Sequence, residues 1–132
     1  MPANHKIDTK TKLLITTWEG EARDIDFIQA IKKYQKDIQN HPDYIAYNEV
    51  VDFSKVTGIK LTTEGIKSIG LIASSTDQNE VNRKLAFIVS SNLAFGLARM
   101  YEAYRGFSKK SHKEIRIFKN EKDAFEWVKN NT

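Results

Sequence analysis

The chain has 132 residues, 40% hydrophobic and 29% charged, an ordinary balance for one soluble globular domain. It holds no cysteine, which excludes disulfides, thiolate metal sites and cysteine nucleophiles and fits a reducing cytoplasm. A net charge of +4 is mildly basic and lacks the dense clustering of a nucleic-acid binder, so nucleic acid is not an expected partner.

The start, MPANHKIDTKTK, has no apolar core of the secretory kind. The longest apolar run, Leu85 to Val89, is far short of the roughly 20 residues of a membrane helix. A cytoplasmic protein without stable membrane insertion is expected.

His5 to Asp8 and Lys12 to Thr17 read as two short strands of a hairpin that Gly20 ends. A helix follows from Asp24 to about Gln39. Phe27, Ile31, Tyr34 and Ile38 recur at helical spacing on one face, Lys32, Lys33 and Lys36 fall elsewhere, Asp24 caps, and His41-Pro42 stops it. Ile45 to Phe53 reads as a strand and Ser54 to Gly58 as a turn.

Thr62 and Thr63 offer capping hydroxyls to a second helix ending near Ser75, with Ile66, Ile69, Gly70 and Ala73 inward. Thr76 to Arg83 is a polar loop. Lys84 to Val89 is continuously apolar at its centre, as a parallel strand buried on both faces requires. A third helix runs from Asn92 to Gly106. Glu114 to Phe118 alternates as an outer strand, and Asn120 caps a last helix whose buried stripe is Ala124, Trp127 and Val128. The order β-β-α-β-α-β-α-β-α predicts an α/β fold: a single mixed β-sheet of about five strands with helices packed on it.

No phosphate-loop or dinucleotide glycine pattern occurs, and no H-E-x-x-H. His5, His41 and His112 have no carboxylate at ligand spacing, so no metal or other cofactor is expected. Ser90-Ser91 follows a central strand, but in the context V-S-S-N-L rather than G-x-S-x-G, and no catalytic residue is assigned.

Open α/β sheets bind ligands beyond the carboxyl ends of their strands, where helix N-termini favour anions. Thr62, Thr63, Ser90, Ser91 and Asn92 are therefore the candidate anion or polar site, with plain helix capping as the competing role. The third helix is apolar on more than half its circumference. Leu93, Leu97, Met100 and Tyr104 form one stripe, and Ala94, Phe95, Ala98 and Tyr101 form the candidate interface of a homodimer. The basic stretch from Arg105 to Arg116 reads as a solvated loop.

Four patterns carry a resemblance over nearly the whole chain: LLITTWEGE at 13–21, VVDFSKVTGI at 50–59, RKLAFIVSSNLAFGLARMYEAY at 83–104 and IRIFKNEKDAFEWV at 115–128. Together they resemble the SpoIIAA-like family of small bacterial proteins of the STAS and CRAL-TRIO type. The resemblance implies a non-catalytic binding or regulatory module. Its alternatives are a carrier of a small apolar or amphipathic ligand, because CRAL-TRIO domains bind lipids, and, third, an enzyme of unknown reaction. The resemblance also places Thr62 or Thr63 where STAS antagonists are phosphorylated, within an Asp-Ser-Ser-Gly-like motif at the start of the second helix. Lys60 stands in place of the motif's acid and the glycine is missing, so these threonines are expected to cap a helix instead.

Overall fold

A computed structural model describes residues 3–74, 83–90, 92–93, 95–96, 98–99 and 113–130. The strands are β1 (Ala3–Asp8), β2 (Leu13–Arg23), β3 (Asn48–Lys60), β4 (Arg83–Ile88) and β5 (Lys113–Phe118). The helices are α1 (Asp24–Asn40), α2 (Thr63–Ser74) and α3 (Glu121–Lys129). Asn92, Leu93, Phe95, Gly96, Ala98 and Arg99 are also helical, and the rest of the expected third helix lies outside the described residues.

One mixed sheet is formed in the order β1-β2-β3-β4-β5. β1 pairs antiparallel with β2, and the other three pairings are parallel. The α/β architecture and its five-stranded mixed sheet thus follow the pattern expected from the sequence. Every parallel crossover advances in the same direction, and right-handed crossovers of that kind put their helices on one side of the sheet. Accordingly Phe27 and Ala30 of α1, Ile69 of α2 and Ala98 share a core with Trp18, Phe53, Leu85 and Phe87 of the sheet. The opposite face buries Leu13, Val50, Ala86 and Ile88 beneath Ala124 and Val128 of α3.

Two boundaries depart from the sequence pattern. Gly20 does not end the hairpin; it lies within β2 at φ 73°, a left-handed value that glycine adopts without strain, beside register shifts in the β2–β3 pairing. Residues Ser54 to Gly58 are not a turn. They continue β3, because the far half of β2 pairs with Lys55 through Lys60. β4 pairs with β3 only from Glu49 to Asp52, so beyond it β2 and β3 project as a two-stranded parallel ribbon. Between α1 and β3 the chain makes a short 3-10 turn, Pro42–Ala46, where the strand was expected to begin.

Helix ends are closed by specific groups. Arg23 rather than Asp24 is the N-cap of α1, and its backbone N–H donates to Asp26 Oδ2 at 3.0 Å. Asn120 Oδ1 accepts from the Asp123 N–H at 2.9 Å at the start of α3, as the sequence indicates. At the other end of α3, Lys84 Nζ donates to the carbonyls of Trp127 and Asn130, a cation at the negative pole of the helix. Asn48 Nδ2 donates to the Val128 carbonyl at 2.7 Å and fixes that end against the sheet.

Candidate functional site

The expected polar site resolves into separate local roles. Thr62 Oγ1 accepts from the Gly65 N–H at 2.9 Å and donates to Asp24 Oδ2 at 2.8 Å. Asp24 Oδ1 also accepts from the Thr62 N–H at 3.0 Å. The N-terminus of α2 is therefore closed by a hydroxyl and a carboxylate of this chain. Ser90 Oγ donates to the Ser54 carbonyl at 3.2 Å, tying the end of β4 to β3. Thr63 and Asn92 are exposed, and Ser91 lies outside the described residues. Ligand crevices at strand ends arise where the strand order reverses, and this order has no reversal.

The candidate interface residues divide as well. Ala98 is 4% exposed and belongs to the core, and half-buried Phe95 packs against it. Leu93, read as part of the inner stripe, is 58% exposed. The helix is thus rotated relative to the sequence reading. Ala94 and Tyr101 carry no described side-chain placement.

A cavity of about 120 Å³ lies between the sheet and the α1–α2 side. Its body is apolar. Trp18 stacks on Phe27 at 4.3 Å between ring centroids, and Phe53 lies 5.9 Å from Phe27 and 5.9 Å from Phe87. Ile69, Leu85 and Ala98 complete the wall, and Ile59 and Leu61 reach it from the ribbon and the turn after it.

One end of the cavity is polar, with His5, Thr16, Tyr34 and Glu49 in its wall. Strand parity brings them there. Glu49 shares a face of β3 with Val51 and Phe53, and Arg83 shares a face of β4 with Leu85 and Phe87. Glu49 is paired in register with Leu85, so Arg83, two residues earlier, is its diagonal neighbour. Arg83 Nη2 lies 3.1 Å from Glu49 Oε1, with side chains only 4% and 10% exposed. Arg83 also donates to the Tyr34 hydroxyl. Burial, followed by the Glu49 charge, holds the Tyr34 hydroxyl well above its ordinary pKa of 10.0, so it stays protonated.

His5 is paired in register with Thr16 on β2, and its Nδ1 is 2.9 Å from Thr16 Oγ1. Its Nε2 is buried and has no hydrogen-bond partner among the described residues. Burial, aided by Lys33, lowers the His5 pKa below 6.5 against the opposing pull of Asp37, the Ala30 carbonyl and Glu49. The imidazole is neutral at physiological pH.

This polar end sits at the amino ends of β3 and β4, the edge opposite to the one singled out by the strand-end rule. Its residues still had a signal in the sequence. In Glu49-Val50-Val51-Asp52-Phe53 and Arg83-Lys84-Leu85-Ala86-Phe87, a charge stands in phase with the core-facing positions. Charges on the buried parity of a strand need partners, and these two are each other's.

No family model and no curated protein sequence matches the chain. Among solved structures, the chain is similar to an uncharacterized protein of the DUF3478 family with a SpoIIAA-like fold from Shewanella loihica PV-4. The likeness has a TM-score of 0.59 and 14% identity, and covers 96% of this chain and 91% of that one. No described helix is long and apolar enough to cross a membrane. The five-stranded mixed sheet, its helices and this structural likeness together give the chain a SpoIIAA-like fold.

Proposed function

We propose that this protein is a non-catalytic binding module that holds a small apolar or amphipathic molecule in the cavity between the sheet and the α1–α2 side. The observation that carries the reading is the cavity itself, an aromatic and aliphatic chamber closed at one end by hydrogen-bonding groups. Small-molecule sites have that composition. Its volume of about 120 Å³ suits one ring or a short branched chain rather than a whole lipid; a dry apolar cavity of about 150 Å³ is enough for benzene. Glu49, Arg83 and Tyr34 at the polar end engage one another, an arrangement that supports holding a ligand over turning it over.

Methyl NMR of the full chain titrated with ring-sized apolar compounds is the test. Shifts concentrated at Ile69, Leu85 and Ala98 are expected. Unchanged methyl spectra at millimolar compound would overturn the reading.

Self-association in the cytoplasm remains part of the proposal, with exposed Leu93 as the contact instead of buried Ala98. Leu93→Glu should leave the fold intact and lower any dimer fraction seen in sedimentation. A dimer fraction unchanged by Leu93→Glu removes this residue as the contact.

A further inference from the structure

We infer that the molecule held in the cavity is uncharged and carries one hydroxyl, which His5 receives at the polar end. The inference rests on the cavity being a ligand site and goes on to name the chemistry of its occupant. Charge comes first. Glu49 and Arg83 form a pair at 3.1 Å, so the polar end is already balanced. A carboxylate entering beside them would add a buried negative charge next to Arg83, which Glu49 already engages, and an ammonium would meet a carboxylate that is likewise engaged.

Hydrogen bonding comes second. The Tyr34 oxygen accepts from Arg83, and its hydroxyl lies under the influence of the Glu49 carboxylate. The remaining ring atom is His5 Nε2, buried without a well-formed hydrogen bond among the described residues, though the Ala30 carbonyl acts on the ring, while Nδ1 is engaged by Thr16. Two tautomers are open to this pair. If Thr16 donates to Nδ1, then Nε2 carries a proton and needs an acceptor. If Nδ1 donates to Thr16, then Nε2 is bare and needs a donor. A hydroxyl both donates and accepts, so it serves either tautomer. A hydrocarbon serves neither and leaves the nitrogen desolvated.

Three ring compounds of matched size separate the possibilities when titrated into the full chain at pH 7.5: phenol, toluene and benzoate. Binding is read from methyl and imidazole NMR shifts. Phenol should bind at least tenfold more tightly than either of the others and should shift the His5 ring resonances. In His5→Phe the preference for phenol over toluene should vanish while toluene still binds. Equal affinity for phenol and toluene in the native chain, or benzoate binding as tightly as phenol, overturns the hydroxyl inference and leaves the cavity as a ligand site. Failure of all three compounds to bind overturns both. The native-chain comparison decides the matter even where His5→Phe does not fold.

Discussion

The carboxylate of Asp24 occupies the space that a side chain at residue 65 would fill. A Cβ built on Gly65 would lie 2.2 Å from Asp24 Oδ1, well inside contact distance. The two residues meet because Asp24, in the first turn of α1, reaches across to Thr62 and closes the start of α2. The glycine is a condition of that bond. Helix α1 thereby fixes the entry of α2, and both helices face the cavity.

The first expectation concerns this contact. Alanine in place of a helical glycine normally gains up to about 1 kcal/mol. In Gly65→Ala the gain is offset by loss of the Asp24 bonds, since an N-cap interaction is typically worth about 1 kcal/mol. The native chain should therefore show no gain or a net loss on Gly65→Ala. In an Asp24→Ala background the same substitution should stabilise by about 0.5–1 kcal/mol. Urea denaturation of the four proteins reads the coupling. Equal effects of Gly65→Ala in both backgrounds would show that the contact carries no energy.

Ala98 lines the cavity and is buried, so enlarging it separates an open chamber from a filled core. Ala98→Leu should be neutral or stabilising by about 0.5–2 kcal/mol, the usual range for filling a void. It should also weaken binding of ring compounds at least tenfold. A destabilisation of about 1–3 kcal/mol, the usual consequence of overpacking, would mean that no such space exists.

The buried ion pair should behave asymmetrically. Arg83→Met leaves the Glu49 carboxylate in the interior and should cost about 3–5 kcal/mol. Replacing both, with Glu49→Leu added, removes that charge and should restore much of the loss. Thermal unfolding of the single and double variants checks the order. A double variant less stable than Arg83→Met alone would contradict it.

The lowered pKa of His5 makes stability depend on pH in a defined direction. Below pH 6.5, the ordinary value, an unfolded His5 takes up a proton that the folded one resists. The unfolded state then binds more protons, so this contribution to stability is present above pH 6.5 and is lost as pH falls toward the depressed folded value. The groups acting on the ring are Lys33, which strengthens the effect, and Asp37, the Ala30 carbonyl and Glu49, which oppose it. Denaturation of the native chain and His5→Gln between pH 7.5 and 5 should show a steeper fall for the native chain. Parallel curves would remove His5 as the source.

Elements whose own periodicity sets their place were legible in the sequence. Phe27 and Ile38 on α1, Ala124 and Val128 on α3, and the run from Leu85 to Val89 are buried as their spacing required. Ser54 to Gly58 was not legible as strand, because turn-forming residues there are overridden by pairing to a strand 35 or so positions earlier, which local sequence does not encode. The orientation of the helix around Ala98 was likewise hidden, since both its faces are apolar and only the neighbouring sheet chooses between them. The polar end of the cavity draws on β1, β2, β3, β4 and α1. Taken singly, Glu49 and Arg83 read as surface charges, His5 as a hairpin histidine and Tyr34 as one more residue of the inner stripe of α1. Only the in-phase placement of Glu49 and Arg83 among core positions marks them out.

The two faces of the sheet are covered at different times during synthesis. Because strand order follows chain order, each strand from β2 onward emerges with its neighbour already made, and α1 and α2 can close their side early. The other side, with Leu13, Val50, Ala86 and Ile88, has Ala124 and Val128 of α3 as its described cover. A nascent chain that has not yet made α3 carries a bare apolar face on a sheet with an open edge, the kind of surface through which strands associate between molecules. Loss of α3 should therefore show itself first as insoluble protein, before any change in what the cavity can hold.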